Sequence, residues 1–333
     1  MKKIIEIFKG MMIGIANVIP GLSGGSIAVA FNIYDKFIYG FSNFFKHPIK
    51  TIKLLWAIVL GMGIGIAVSV VGVIYFLENF PVPTTMLFVG MVIGSLPFIK
   101  KKMDKEEKTK YDLSVFISMI VLMLGVMLMH IFFGENMVDI TTINLKIVII
   151  ILILGIVSAA TMIVPGISGS MMLMVLGYYY YITSLSDGIV RAVLNLDFIG
   201  MWDFVWPMVP FVLGNVIGVV FMAKLLEKAL IKYPRQLYCA ILGLLISSPI
   251  LIFYSMYKDY PTAVMSSLEG AGIILTVGIG FVLMVLGALF VNYMSKFEEK
   301  ENESKAEEPK ENKTEEDKPT KLSSEEELSK NSN

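Results

Sequence analysis

Six stretches of this chain, about residues 54–77, 84–99, 113–133, 205–226, 237–257 and 271–294, are almost wholly apolar. A helix needs roughly 20 such residues to cross a bilayer core. Backbone N–H and C=O groups in hydrocarbon find no water, so they must pair within their own segment, and such stretches fold as helices. The stretch at 84–99 is short and is expected to need flanking side chains that reach back to the interface. The chain is 56% hydrophobic and 17% charged, where soluble domains carry about 25% charged residues. The expected class is therefore an all-α integral membrane protein, with membrane lipids around it and no nucleic-acid partner.

The charges set the orientation, because Lys and Arg stay on the cytoplasmic side. Lysines crowd the 36–53 and 100–110 loops, and Lys224, Lys228, Lys232 and Arg235 surround the 224–235 region. These read as inside. The connections at 78–83, 134–144, 183–204 and 258–269 hold only Arg191 and Lys258 and read as outside. From Lys296 onward there are 13 Asp/Glu and 8 Lys/Arg, net −5, so the residues before it carry +5. The segment 296–333 has too little apolar surface to offset its ordering entropy and is expected to be a disordered acidic tail. Both termini then lie in the cytoplasm, and the host is the cell membrane. The N-terminus imitates a secretory signal, but Glu6 and Lys9 interrupt its apolar region. Cys239 is the lone cysteine, so no disulfide forms within the chain.

Two further apolar segments are broken in the same way. "NVIPGLSGGS" spans 17–26 and "IVPGISGS" spans 163–170. Residues 4–38 run between two basic regions, so they must enter and leave on one side as a re-entrant hairpin. Residues 146–182 run between two outside loops and form the second hairpin, from the other face, with a longer first arm. The pattern repeats further on. Gly61, Gly65, Pro81 and Gly90 recur 153 positions later as Gly214, Gly218, Pro234 and Gly243. Each half is a hairpin plus three spans, 1–135 and 136–295. Three is odd, so the halves are inverted. Inverted repeats with broken helices near the midplane are a transporter architecture.

The breaks carry the chemistry. Pro20 and Pro165 end the first arms, and Gly21, Gly24, Gly25, Gly166 and Gly169 permit tight turns. Ser23 or Ser26, and Ser168 or Ser170, suit the N-caps of the second arms. A helix start offers free N–H donors and a partial positive charge to an anion. The competing reading makes both breaks plain structural tips. Asn17 and Asn215 are polar residues placed to line a cavity. Arg191 is a candidate phosphate-capture residue or an ordinary solvated arginine. Metal-ligand spacing is absent, and no cofactor is expected. Gly21-Leu22-Ser23-Gly24-Gly25 also fits a nucleophile elbow, which needs a strand–turn–helix and acid and base partners. Its Gly-x-Ser-Gly resembles the rhomboid intramembrane proteases, for which His130 is the one available base.

"GIANVIPGLSGGSIAVAFNIYD" (14–35) and "MIVPGISGSMMLMVLGYY" (162–179) resemble the paired signatures of the polyprenyl-phosphate transporters, long described as a domain of unknown function. The resemblance covers roughly residues 5–295. It implies return of undecaprenyl phosphate, or a related lipid, from the outer to the cytoplasmic leaflet, with Pro20–Ser26 and Pro165–Ser170 as the substrate region. That family usually has an acid where this chain has Asn17 and a threonine where it has Ser26. Coupling to a proton or sodium gradient would then fall to Asp35, or be absent. A small-anion transporter or channel and an intramembrane hydrolase stand as alternatives. The oligomeric state is left open.

Overall fold

The structure is a computed structural model that describes residues 2–19, 21–133, 140, 144–268 and 272–307. Among these, every regular element is a helix. The first break separates α1 (Lys2–Val18) from α2 (Gly24–Ala30) and α3 (Tyr34–Ser42). Next come α4 (Pro48–Val68), a π-helical turn (Ser69–Val73) and α5 (Ile74–Asn79), which form one long rod. Then follow α6 (Pro81–Asp104) and α7 (Asp112–Phe133). The second break separates α8 (Leu145–Ile163) from α9 (Gly169–Val175) and α10 (Tyr179–Leu194). The chain closes with α11 (Met201–Lys232), α12 (Pro234–Asp259), the short α13 (Pro261–Ser267) and α14 (Gly272–Glu307).

Seven helices among the described residues are long and apolar enough to cross a membrane: α4, α6, α7, α8, α11, α12 and α14 as far as Lys296. Six coincide with the apolar stretches, and the seventh is α8, the longer arm expected at 146 onward. The stretch at 84–99 is not short. It belongs to a 24-residue helix that starts with Pro81 at its first turn and ends with Lys101 and Lys102 in its last. Pro is pre-organised for a first turn, and cations suit a helix C-terminus. The expected second arms are each two helices. Asn32 (φ +56°) and Gly177 (φ +81°) bend the chain between them at matching places. Contacts divide the chain into Met1–Ser295 and Lys296–Asn333. The second unit is helical through Glu307, and the expectation of disorder for 308–333 falls outside the described residues.

Glycine lets helix backbones approach closely where lipid, rather than water, surrounds them. A Cβ on Gly61 would sit 2.0 Å from the Ile7 carbonyl oxygen, and one on Gly65 2.1 Å from that of Met11. In the second half, Gly214 meets Leu152 at 2.1 Å and Gly218 meets Ile156 at 2.3 Å. Ile7 and Met11 stand to Leu152 and Ile156 as the first break stands to the second, 145 positions apart. The α1/α4 and α8/α11 pairs are thus packed through the same contacts. Glycines also seat α7 and α14. Gly243 of α12 faces the Phe116 carbonyl of α7, and Gly90 and Gly94 of α6 face Met284 and Ala288 of α14.

These contacts make a paired expectation. Gly61→Ala should lower the midpoint of thermal unfolding in detergent, through a stability loss on the order of 1–3 kcal/mol, as overpacking does. Gly63→Ala, with nothing within 4 Å of its new methyl, should hold or raise it, because Ala favours helix over Gly. Equal midpoints for the two variants would contradict the packing.

Candidate functional site

The two breaks are built alike. Gly21 and Gly166 have φ of +74° and +89°, a left-handed backbone that glycine adopts without a steric cost. Ser23 and Ser168 follow in extended conformation and take the N-cap positions of α2 and α9. Pro165 is buried beside its glycine. Pro20, expected in the substrate region, lies outside the described residues.

The breaks also meet one another. Gly166 N–H donates to Ser26 Oγ at 2.7 Å. Ser23 Oγ lies 3.2 Å from the Met162 carbonyl and 3.1 Å from that of Val164, and donates its one proton to this pair. A Cβ on Gly25 would come within 2.5 Å of the Ile163 carbonyl. Hydroxyls on the first break therefore satisfy backbone groups that the second break frees from helical pairing.

This contact corrects one expectation. The donors at the start of α2 are not free. Gly24 N–H donates to Asn17 Oδ1 at 3.0 Å, and Gly25 N–H to Ser23 Oγ at 3.1 Å. The second break differs. Ser168 makes no side-chain cap bond to α9 and instead pairs with Ser170, hydroxyl to hydroxyl at 2.7 Å.

Beside the contact lies a cavity of about 430 Å³, within the roughly 300–1,000 Å³ of ordinary ligand pockets. Asn17, Gly24 and Gly25 border it from the first break, and Asn215 of α11 also lines it. Ser158 of α8 completes the polar lining. Its hydroxyl also lies 2.8 Å from where a Cβ on Gly169 would be. Sequence reading missed Ser158, a single serine inside an apolar helix. It stands about one turn before Met162, another lining residue, a spacing so common in an apolar helix that it is no recognisable signal. The rest of the wall is apolar, including Phe37, Phe41 and Phe211.

Other candidates lie apart from this cavity. Arg191 is exposed on α10 and paired with Asp187 one turn away at 2.8 Å. Asp35 is ion-paired with Lys102 of α6 at 2.6 Å. His130 is buried, packs edge-on against Tyr254, and neither ring nitrogen has a hydrogen-bond partner. The serine–histidine pair that a hydrolase needs is not formed. Among the described residues no cluster of three or more His, Cys, Asp or Glu could hold a metal ion.

The interlock gives a direct expectation. Ser26→Ala removes the acceptor for Gly166 N–H and leaves a buried donor unpaired, which costs about 1–3 kcal/mol. Unfolding in detergent should show that loss for Ser26→Ala, while Ser26→Thr, which keeps the hydroxyl, should stay near wild type. An unchanged Ser26→Ala would show that the breaks are not held together this way.

A family profile described as undecaprenyl phosphate translocase-like matches residues 13–269. A polyprenyl-phosphate transporter of Staphylococcus aureus is 26% identical over 268 residues, 78% of this chain and 88% of that protein. A polyprenyl-phosphate transporter of Vibrio cholerae is 25% identical over 258 residues, 72% of this chain and 74% of that protein. No solved structure matches. The family description and both names are those of transporters, not enzymes. With seven long apolar helices among its described residues this is a multi-pass membrane protein, and it belongs to the undecaprenyl phosphate translocase-like family.

Proposed function

We propose that this protein carries undecaprenyl phosphate, or a related polyprenyl phosphate, from the outer to the cytoplasmic leaflet of the cell membrane. The phosphate would occupy the cavity bordered by the first break, α8 and α11. The observation that carries this reading is that one cavity is bordered by Asn17, Asn215, Ser158 and the first break, in a chain of this family. A bare charge crosses hydrocarbon at high cost. A polyprenyl phosphate needs a polar route only for its small head, because its tail is as apolar as the lipid around it. A mostly apolar cavity with a few polar points fits that division.

The geometry suggests how the head is held. Gly24 N–H now points at a neutral acceptor, Asn17 Oδ1. A phosphate oxygen in that place would accept a charge-assisted bond, roughly twice as strong as a neutral one. The displaced Asn17 amide and the Asn215 amide would then donate to the head from two sides. Ser168, Gly169 and Ser170, uncapped at the second break, would take it next, and exposed Arg191 would meet it earlier, at the outer surface.

The topology follows from the same reading. Both breaks are re-entrant, the halves 1–135 and 136–295 are inverted repeats, and both termini are cytoplasmic with the 296–333 tail. The shared contacts of α1/α4 and α8/α11 support the repeat, and the lysine-rich 36–53 and 100–110 loops support the orientation. Rocking of inverted halves about the cavity is the expected route of alternating access. Asn17 cannot titrate, so for a proton- or sodium-coupled cycle Asp35 is the candidate. Its pair with Lys102 ties α3 to α6.

Vesicles holding the purified protein test this reading. Undecaprenyl phosphate should cross, its dephosphorylated alcohol should gain nothing from the protein, and Asn215→Leu should slow the phosphate about tenfold, the worth of one hydrogen bond to a charged group. Uptake of inorganic phosphate without lipid movement would replace the lipid substrate with a small anion. Equal acceleration of alcohol and phosphate would overturn the head-group site.

A further inference from the structure

A second recess lies away from the breaks. A groove of about 750 Å³ runs between α6, α7 and α12. One end holds Lys100, Asp112 and Arg235; the other is apolar, with Phe116, Leu242 and Ile246 in its wall. From Arg235 to Ile246 is eleven residues of one helix, about 16 Å at 1.5 Å per residue. That is half of a hydrocarbon core about 30 Å thick, the depth of one leaflet.

The charges at the mouth are specific. Arg235 is spent within the protein. Its Nε donates to Asp112, and its Nη1 donates to the carbonyls of Met103 and Glu106 at 2.8 Å each. Arg235 and Asp112 cancel. Lys100 is exposed at the rim and makes no ion pair among the described residues. The residues that line the mouth therefore sum to one net positive charge above an apolar slot. A phosphodiester head brings one negative charge, whereas a phosphomonoester brings about 1.5 to 2. Basic recesses between membrane helices bind anionic head groups in this manner.

We infer that this groove is a binding site for an anionic glycerophospholipid of the phosphatidylglycerol type, with its phosphodiester on Lys100 and one acyl chain along α12. The occupant is a lipid of the surrounding leaflet and is distinct from the polyprenyl phosphate proposed for the central cavity. Bound there, it seals the cleft beside α6 and holds α7, which packs on α12 and α9, against the bundle. The site does not depend on what the central cavity transports.

Native mass spectrometry of the intact protein, released from micelles doped with single lipids, tests the site. Phosphatidylglycerol should be retained in preference to phosphatidylethanolamine. Lys100→Glu, which reverses the charge, and Ile246→Trp, which fills the slot, should each cut that retention about tenfold or more. Lys100→Arg should keep it, and size-exclusion elution checks that each variant is folded. Equal retention of the two phospholipids would overturn the site, as would retention unchanged in both disruptive variants. Displacement of phosphatidylglycerol by equimolar undecaprenyl phosphate would overturn the choice of occupant.

Discussion

A helix that is broken inside an apolar chain releases backbone groups that hydrocarbon cannot satisfy. This molecule breaks two and lets the hydroxyls of the first satisfy the second. Ser26 accepts from Gly166 N–H, and Ser23 donates to the carbonyls at 162 and 164. Each hydroxyl is buried, so neither bond competes with water. The glycines do the remaining work of approach. Gly25 lies where any Cβ would strike Ile163, and Gly61, Gly65, Gly214 and Gly218 draw α4 and α11 onto the helices that carry the breaks. The cavity exists because these close contacts set Asn17 and Asn215 around one space.

Asn17 has a structural duty that precedes any transport role. Its Oδ1 caps the first N–H of α2. A carboxylate in that position could make the same bond, so asparagine preserves the geometry of the break. It does not preserve a proton that could be gained and lost. The shape of the site and its coupling are thus separable in this chain. On the cytoplasmic flank, by the proposed orientation, Glu6 is held by Lys3 and Lys36, and Lys9 closes the end of α2 by donating to the Phe31 carbonyl at 2.9 Å. The charges that spoiled the resemblance to a signal peptide are the ones that fasten α1 to the second arm.

The sequence made the spans legible because burial in lipid leaves a continuous apolar run, and made the breaks legible because the run Pro-Gly-x-Ser-Gly recurs at 20–24 and 165–169. It hid what depends on distant partners. Ser158 is an ordinary serine until α11 and the first break pack around it. The donors of α2 looked free because nothing local pairs Asn17 with Gly24. Helix α6 looked short because Pro81 and Lys100–Lys102 are poor markers of a helix interior but good ends for one. The packing of α7 on α12 and of α14 on α6 leaves no periodicity to read, only glycines whose partners lie far along the chain.

The central claim is that the phosphate head meets the protein in the cavity bordered by the first break, α8 and α11. A polyprenyl phosphate with a diazirine close to its phosphate, photolysed on the reconstituted full-length protein and mapped by peptide mass spectrometry, tests this most directly. The account predicts adducts on 13–25, on 158–163 and around Asn215, suppressed by excess unlabelled undecaprenyl phosphate. Adducts confined to α10 around Arg191, or to the groove at Lys100, would contradict it.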